Sequence, residues 1–264
     1  MVGGRYAVSE VPRGNELATA KSELMSRFTV SDDAAGNLNE VTGPEFDEIC
    51  QLYTDIRSGR SDIQFDTARL DALETARMMR LALEDIANIL QTNCGRTLLT
   101  ALAQNQSLCG ARRRVVIRFS RSPEDNECAH RGHQRGGWVF REAERRATTP
   151  GLGEDAYITY CPGYRRVLGG ADVLATGDTS LFHELVHALH FTRGTKMPDD
   201  LVMSSRYADP QAQPVSASDD GLRAEEYATA GLGLWATDYL TENQYRRERM
   251  WLGDGEIDLR TRYR

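Results

Sequence analysis

His183-Glu184-Leu185-Val186-His187 is an HExxH motif inside a segment whose apolar residues recur at helical spacing. Residues four apart on an α-helix share a face, so His183 and His187 can bind one Zn²⁺ together. Glu184 then lies beside the first ligand, placed to take a proton from water bound to the metal. With five histidines in the chain, a chance HExxH is expected in roughly one such sequence in a hundred. The motif therefore predicts a catalytic zinc site.

The residues after the motif exclude two classes of zinc protease. A metzincin has glycine and a third histidine where this sequence has His190 and Arg193. Gly194-Thr195 begins like the GTxxD segment of an aspartate-zincin, but Pro198 stands at the aspartate position. The acids that follow, Asp199 and Asp200, are typical of a solvated loop.

Two adjacent carboxylates, Glu225 and Glu226, offer the third ligand. They lie in a segment, 224–230, with a helical pattern that Gly231 breaks. Neighbours on a helix point about 100° apart, so only one of the two can face the metal, and the other can hydrogen-bond a ligating histidine. The structural alternative is an exposed acidic helix start, which the helix dipole favours. These residues alone do not decide which glutamate is the ligand.

Three further sequence features bear on this site: a third histidine, a second set of metal-type side chains and a strand. His190 lies one turn beyond His187, where we expect it to pack against a ligand rather than bind the metal. Cys128, His130 and His133 have the spacing of a second metal site but no fourth partner nearby, so we do not expect one. The strand Tyr157–Tyr160 is predicted to be the sheet edge that aligns an extended substrate.

The distribution of periodic segments predicts an α+β fold. Predicted helices run from Gly43 to Ser58, Asp66 to Leu90, Thr97 to Ala103, Asp178 to Phe191, 220 to 230 and 241 to 250. Predicted strands are Arg114–Phe119, Trp138–Phe140 and Ala156–Tyr160, and residues 194–220 read as a long loop. Residues 1–40 are predicted to be a disordered arm, and residues 41–264 one domain.

Composition limits the function classes. The chain has 264 residues, of which 40% are hydrophobic and 27% charged, and a formal net charge of −7. That charge disfavours nucleic-acid binding, and no segment is apolar enough to predict a membrane span. The odd number of cysteines, five, without a CxxC pair favours a reducing compartment. We expect a monomer.

The motifs resemble those of clostridial neurotoxin light chains. His183 to His190 resembles their HELxHxxH helix, and Glu225 to Gly231 is similar to their EExxTxG segment. In that family the second glutamate binds zinc, which implies Glu226 as the ligand and Glu225 as the residue that supports a ligand. Arg260 and Tyr263 resemble the RxxY pair, which implies that they stabilise the tetrahedral intermediate.

In overall size the chain is closer to the NleD-like type III effector metalloproteases, which include the HopH and XopG group. The similarity covers roughly residues 150–264 and includes Thr241-Glu242-Asn243. It implies a zincin-like domain with a helical N-terminal part, a small mixed sheet and an active-site HExxH helix.

The same resemblance implies a gluzincin-type zinc endopeptidase. A type III system would deliver it into the host cytosol, with the secretion signal in residues 1–40. The substrate would be a host signalling protein, with mitogen-activated protein kinases as the precedent. The alternative is a non-catalytic effector that keeps zinc for structure and binds a host protein. Glu184 favours the enzyme, because a structural zinc site has no use for that carboxylate.

Overall fold

A computed structural model describes most of the chain. The described ranges are residues 14–32, 37–105, 110–130, 137–168, 173–203, 214–216, 222–255 and 257–261. Within them, eight α-helices and eleven short strands form the α+β fold that the sequence predicts. No helix in these ranges has an apolar stretch of the length that crossing a bilayer requires.

The helices are numbered in chain order. They are α1 (Gly14–Leu24), α2 (Gly43–Arg57), α3 (Ala72–Leu90), α4 (Asn93–Ala103), α5 (Gly137–Ala147), α6 (Gly177–Arg193), α7 (Ala224–Ala230) and α8 (Glu242–Trp251). The strands are β1 (Thr29–Val30), β2 (Glu40–Val41), β3 (Ile63–Asp66), β4 (Val115–Phe119), β5 (Glu127–His130), β6 (Ala156–Tyr160), β7 (Arg165–Leu168), β8 (Val173–Thr176), β9 (Leu201–Met203), β10 (Pro214–Ser216) and β11 (Leu222–Arg223).

The main sheet is mixed and has the strand order β3-β4-β6-β5. Strands β3, β4 and β6 run parallel, whereas β5 runs antiparallel to β6, with Cys128 opposite Ile158. Their inward side chains, among them Ile63, Val115 and Ile117, are fully buried. The described strands also form three smaller sheets, with the strand orders β1-β2, β7-β8 and β10-β9-β11.

Helix α6 is the centre of the molecule. It packs against β5 and β6 on the sheet side and against α3, α4 and α8 on the helical side. Almost every residue of α6 is buried, including the polar His183, Glu184 and His187. Burying three ionisable side chains is unfavourable unless each has a hydrogen-bond or charge partner, so such partners are expected around α6.

The predicted edge strand is wrong. Strand β6, which contains Tyr157 to Tyr160, lies between β4 and β5 and is paired on both sides. Among the described strands of this sheet, β5 is the edge on that side. The polar loop Ser120–Gly137 that the sequence suggests contains this short strand in its described residues.

The N-terminal arm is also predicted wrongly from Gly14 onward. Residues 14–24 form α1, which packs on α2, and Ala20, Leu24 and Phe28 enter the main core. Because so few residues carry the apolar face, the average composition of the segment hides it. Residues 1–13 lie outside the described part of the chain.

Three more boundaries differ from the prediction. Helix α3 begins after Asp71, whose carboxylate accepts from the N–H of Glu74 at 2.8 Å, while Asp66 ends β3. The predicted strand Trp138–Phe140 is the start of α5, since a three-residue apolar run is compatible with either element. The predicted loop 194–220 contains β9 and β10 in its described residues.

Candidate metal centre

The ends of α6 hold the HExxH helix in register. The helix is preceded by Thr176, one residue before its first turn, and the N–H of Thr176 donates to Thr179 Oγ1 at 2.8 Å. It ends at Gly194, which has a φ of +72°. A side chain at Gly194 would also meet the carbonyl oxygen of Thr149 at 1.9 Å, so glycine is required there.

Three ligand-type atoms converge where α6 faces α7. His183 Nε2 and His187 Nε2 are 3.1 Å apart, and each lies 3.3 Å from Glu226 Oε2. Among the described residues, these three side chains are the one group of three or more His, Cys, Asp or Glu whose ligand atoms gather this closely. The two imidazoles come from one helix turn, and the carboxylate comes from a helix 39 residues later.

The spacing of the three atoms fits a tetrahedral zinc ion. Zinc–nitrogen and zinc–oxygen bonds of about 2.0–2.1 Å place tetrahedral ligand atoms about 3.3 Å from one another. The distances between the Nε2 and Oε2 atoms agree with that value. Two imidazoles and one carboxylate are also the donor set of many catalytic zinc sites. His183, His187 and Glu226 therefore fit zinc in both chemistry and geometry.

Each histidine is turned toward this point by a carboxylate on its other nitrogen. His183 Nδ1 lies 2.9 Å from Glu242 Oε2, and His187 Nδ1 lies 3.1 Å from Glu225 Oε1. A carboxylate accepts at Nδ1, so Nδ1 carries the proton and the Nε2 lone pair is left for a metal. When each ring is neutral, its one proton is thus held on Nδ1, and the Nε2 lone pair faces the point where a metal would bind.

Glu225 also ties the loop after α6 to the site. Its Oε1 lies 2.6 Å from His190 Nδ1, and its Oε2 accepts the backbone N–H of Met197 at 2.9 Å. Burial alone would raise the pKa of Glu225, but His190 and His187 beside it hold that pKa below its usual range. His190 thus contacts the carboxylate that orients His187, not the three converging atoms.

The charges around the converging atoms favour a cation. Burial opposes a charge on His187, but Glu226 and Glu225 outweigh burial and raise the pKa of His187 well above its usual range. The same competition, between burial and the hydrogen bonds to Glu226 and Glu242, raises the pKa of His183. The carboxylates thus stabilise positive charge at this point, as a divalent metal site requires.

Glu242 links the site to two arginines. Its Oε1 accepts from Arg246 Nε at 2.6 Å and lies 3.1 Å from Arg260 Nε. Asn243 holds the backbone of Arg260 on both sides, because the Arg260 N–H donates to Asn243 Oδ1 at 2.7 Å and Asn243 Nδ2 donates to the Arg260 carbonyl at 2.8 Å. Arg260 therefore lies close to the carboxylate that orients His183.

Glu184 is buried on α6 between the two histidines. Burial raises its pKa, while His183 and His187 act in the opposite direction. The edge strand β5 packs against α6, the helix that carries Glu184.

Two sequence expectations fall wholly or partly on residues outside the described ranges. Tyr263 lies in 262–264, so its place relative to Arg260 is not described. His133 lies in 131–136, so the Cys128, His130 and His133 set is not described as a group. Glu242 is the residue that sequence reasoning missed as a contact of His183. The signal for it was present only as the Thr241-Glu242-Asn243 stretch at the start of a helix.

Comparison with known proteins gives one family match. The family model Peptidase_M91, described as an effector protein, matches residues 75–252. No curated protein matches this chain significantly.

Two solved structures are similar in fold at low sequence identity. The Clostridium botulinum neurotoxin serotype F light chain has a TM-score of 0.45 and 16% identity, over 71% of this chain and 52% of that chain. The botulinum neurotoxin serotype C1 light chain protease has a TM-score of 0.41 and 14% identity, over 66% and 49%. The match thus spans about half the length of each light chain.

Proposed function

This chain belongs to the Peptidase_M91 family of effector proteins and is a zinc metalloprotease, and we propose that it is an endopeptidase that cleaves a signalling protein in the cytosol of a host cell. Delivery by a type III system and a secretion signal within residues 1–40 are part of this proposal. They rest on the resemblance to NleD-like effectors.

One observation carries the proposal. His183 Nε2, His187 Nε2 and Glu226 Oε2 converge at the spacing of a tetrahedral zinc site, with both imidazoles held in the ligand tautomer by Glu242 and Glu225. Three protein ligands leave a fourth position open, which a catalytic zinc needs and a structural zinc does not. We therefore assign His183, His187 and Glu226 as the ligands and Glu225 as the support of His187.

Zinc held by these residues would supply a Lewis acid that polarises the scissile carbonyl and lowers the pKa of the attacking water. Glu184 is assigned as the general base, which takes the proton from that water and passes it to the leaving amine. Its position next to His183 on α6, and the raised pKa that burial gives it, support this role.

Arg260 is assigned to the oxygen of the tetrahedral intermediate, together with Tyr263 by resemblance to the RxxY pair. Peptide hydrolysis places negative charge on the former carbonyl oxygen, and a positioned donor stabilises it. The Arg260 side chain is 12% exposed and lies beside Glu242, the carboxylate that orients His183, which supports this assignment.

Strand β5 is assigned as the edge that aligns the substrate. It borders the main sheet and packs against α6, so an extended peptide paired to it would lie beside the helix that carries Glu184. Backbone pairing fixes the chain direction and leaves side-chain pockets to set specificity. A mitogen-activated protein kinase, cut in its activation loop, is the substrate that the resemblance favours.

The experiment compares the wild type with Glu184→Gln, which keeps the size of the side chain and removes its basicity. Zinc per chain is measured by elemental analysis, and cleavage is measured on host-cell lysate and on purified mitogen-activated protein kinases. We expect one zinc in both proteins and new fragments from the wild type alone. Glu74→Gln, which changes a surface carboxylate on α3, is the matched control and should cleave like the wild type.

Three results would contradict the proposal in different ways. Fragments from Glu184→Gln at the wild-type rate would remove the general-base assignment. Zinc in the wild type without cleavage of any protein would favour the alternative, a zinc-containing effector that binds its host partner. A wild type without zinc would remove the metal site itself.

A further inference from the structure

We propose that Arg246, rather than Arg260, is the residue that fixes the Glu242 carboxylate on His183. Arg246 would then be a positioning residue that acts on the metal site through Glu242. This inference rests on the proposed zinc site but not on the substrate or on cleavage.

Arg246 is the most tightly held charge near the site. It is fully buried, and its Nε donates to Glu242 Oε1 at 2.6 Å. Its Nη1 donates to the carbonyl oxygen of Leu174 at 2.8 Å and to that of Asp258 at 3.2 Å. The guanidinium thus has fixed contacts on α8, on β8 and on the C-terminal segment, and these contacts set its plane.

Arg260 contacts the same oxygen less closely. Its Nε lies 3.1 Å from Glu242 Oε1, and its side chain is 12% exposed, against 0% for Arg246. Arg260 also projects from an irregular segment, whereas Arg246 lies on α8 one turn after Glu242, where residues four apart face each other. Exposure weakens an ion pair, so the arginine in the interior holds the carboxylate more firmly.

Glu242 needs such a partner because it is itself buried. Its side chain is 2% exposed, so little water reaches it, and a charged carboxylate at that depth needs a cationic partner beside it. With Oε1 pinned by Arg246, the second oxygen, Oε2, is directed at His183 Nδ1. A planar guanidinium fixes a carboxylate plane in a way that an ammonium does not.

The two arginines would therefore divide the work. Arg246 keeps His183 in the ligand tautomer and so sets zinc affinity. The partly exposed Arg260 would contact the substrate and so affect turnover. If Arg260 were instead the main partner of Glu242, loss of Arg260 would weaken zinc binding at least as much as loss of Arg246.

The test measures the zinc dissociation constant of the full chain by competition with a chromogenic chelator. The variants are Arg246→Met, Arg246→Lys and Arg260→Met. Loss of a residue that orients a ligating histidine costs about 10- to 100-fold in metal affinity, so we expect Arg246→Met to weaken zinc binding about 10-fold or more. Arg260→Met should stay within about twofold of the wild type.

Arg249→Met is the matched control for losing an ion-paired arginine from the same helix; its side chain is 13% exposed. Arg249 pairs with Asp178 at 3.3 Å and with Asp254 at 2.9 Å, and neither pair involves Glu242. It should bind zinc like the wild type. If Arg246→Met does not fold, Arg246→Lys keeps the charge without the planar fork, and we expect it to weaken zinc binding by a smaller factor than Arg246→Met but by more than Arg260→Met.

A second readout reports the tautomer directly. In nitrogen-15 spectra of the metal-free protein, recorded above the pH at which His183 loses its second proton, the neutral ring of the wild type and of Arg260→Met should keep its remaining proton on Nδ1. Arg246→Lys should show a mixture of tautomers. A loss of zinc affinity in Arg260→Met equal to or greater than that in Arg246→Met, or unchanged affinity and tautomer in both Arg246 variants, would overturn the inference. Absence of cleavage by a wild type that binds zinc would count against the proposed function and leave this inference intact.

Discussion

His183 Nδ1 lies 2.9 Å from Glu242 Oε2, although the two residues are 59 positions apart in the chain. The contact joins the first residue of the HExxH motif to the first turn of α8. It makes the C-terminal helix part of the metal centre, because the tautomer of His183 depends on a carboxylate that α8 supplies.

Replacing Glu242 should therefore weaken metal binding. In Glu242→Gln the charge that holds the Nδ1 proton is lost, and we expect the zinc dissociation constant to rise about 10-fold or more. Chelator competition measures it. Glu248→Gln is the control, because Glu248 is equally buried on α8 but accepts from the N–H of Cys94. Equal weakening in the two variants would mean that the effect is a general loss of α8 stability.

The two adjacent glutamates should separate by stoichiometry. Glu226 contributes one of the three converging atoms, so Glu226→Ala should bind much less than one zinc per chain even at excess metal. Glu225 contacts His187 and His190 instead, so Glu225→Ala should still reach one zinc per chain, with affinity about 10- to 100-fold lower. Elemental analysis and chelator competition measure these quantities, and the reverse order would exchange the two roles.

The sequence predicts the parts of the site that lie within one helix turn. His183 and His187 share a face because of their spacing, and that face is visible without knowledge of the fold. Helix geometry also predicts that only one of the neighbours Glu225 and Glu226 faces the metal, because adjacent side chains on a helix diverge. Glu242 could not be found this way, since its partner is set by the packing of α8 on α6.

The sequence predicts element boundaries wrongly where two local signals compete. Asp66 and Asp71 both precede apolar residues and both resemble helix caps, but pairing with β4 draws Asp66 into a strand and leaves Asp71 to cap α3. The position of β6 in the middle of the sheet was likewise invisible, because β5 returns from a polar loop to pair with it. Tertiary pairing decides such cases, and single-segment patterns do not contain it.

Asp85 should give the folded protein a pH dependence. This carboxylate on α3 accepts hydrogen bonds from the hydroxyl of Tyr160 and from the N–H of Gly163, and its Oδ2 would lie 2.3 Å from a side chain at Gly177, the first residue of α6. Burial raises its pKa from 3.8 to about 7, and the charge of Asp178 adds to the rise.

The sign of the effect follows from the raised pKa. Between pH 3.8 and about 7 the folded protein keeps the proton on Asp85 and the unfolded chain does not, so this group's contribution to stability falls as pH rises. Asp85→Asn mimics the protonated form, and its stability relative to the wild type should increase from about pH 4 to about pH 8. Chemical denaturation of both metal-free proteins at several pH values measures the difference. A constant difference across that range would mean that Asp85 titrates normally.

Even the conservative replacement Arg260→Lys should lower the turnover number. Arg260→Lys keeps a positive charge but loses the planar fork, so it cannot both adjoin Glu242 through Nε and present further N–H groups to a developing oxyanion. Loss of one oxyanion donor costs about 10²- to 10³-fold in kcat, and we expect a decrease toward the lower end of that range with KM little changed. Arg247→Lys is the control, because Arg247 lies on α8 and contacts Gln244 rather than Glu242. Both kcat and KM are measured by steady-state cleavage of the substrate that the comparison of wild type and Glu184→Gln identifies. A rise in KM at unchanged kcat would instead place Arg260 in ground-state binding of the substrate.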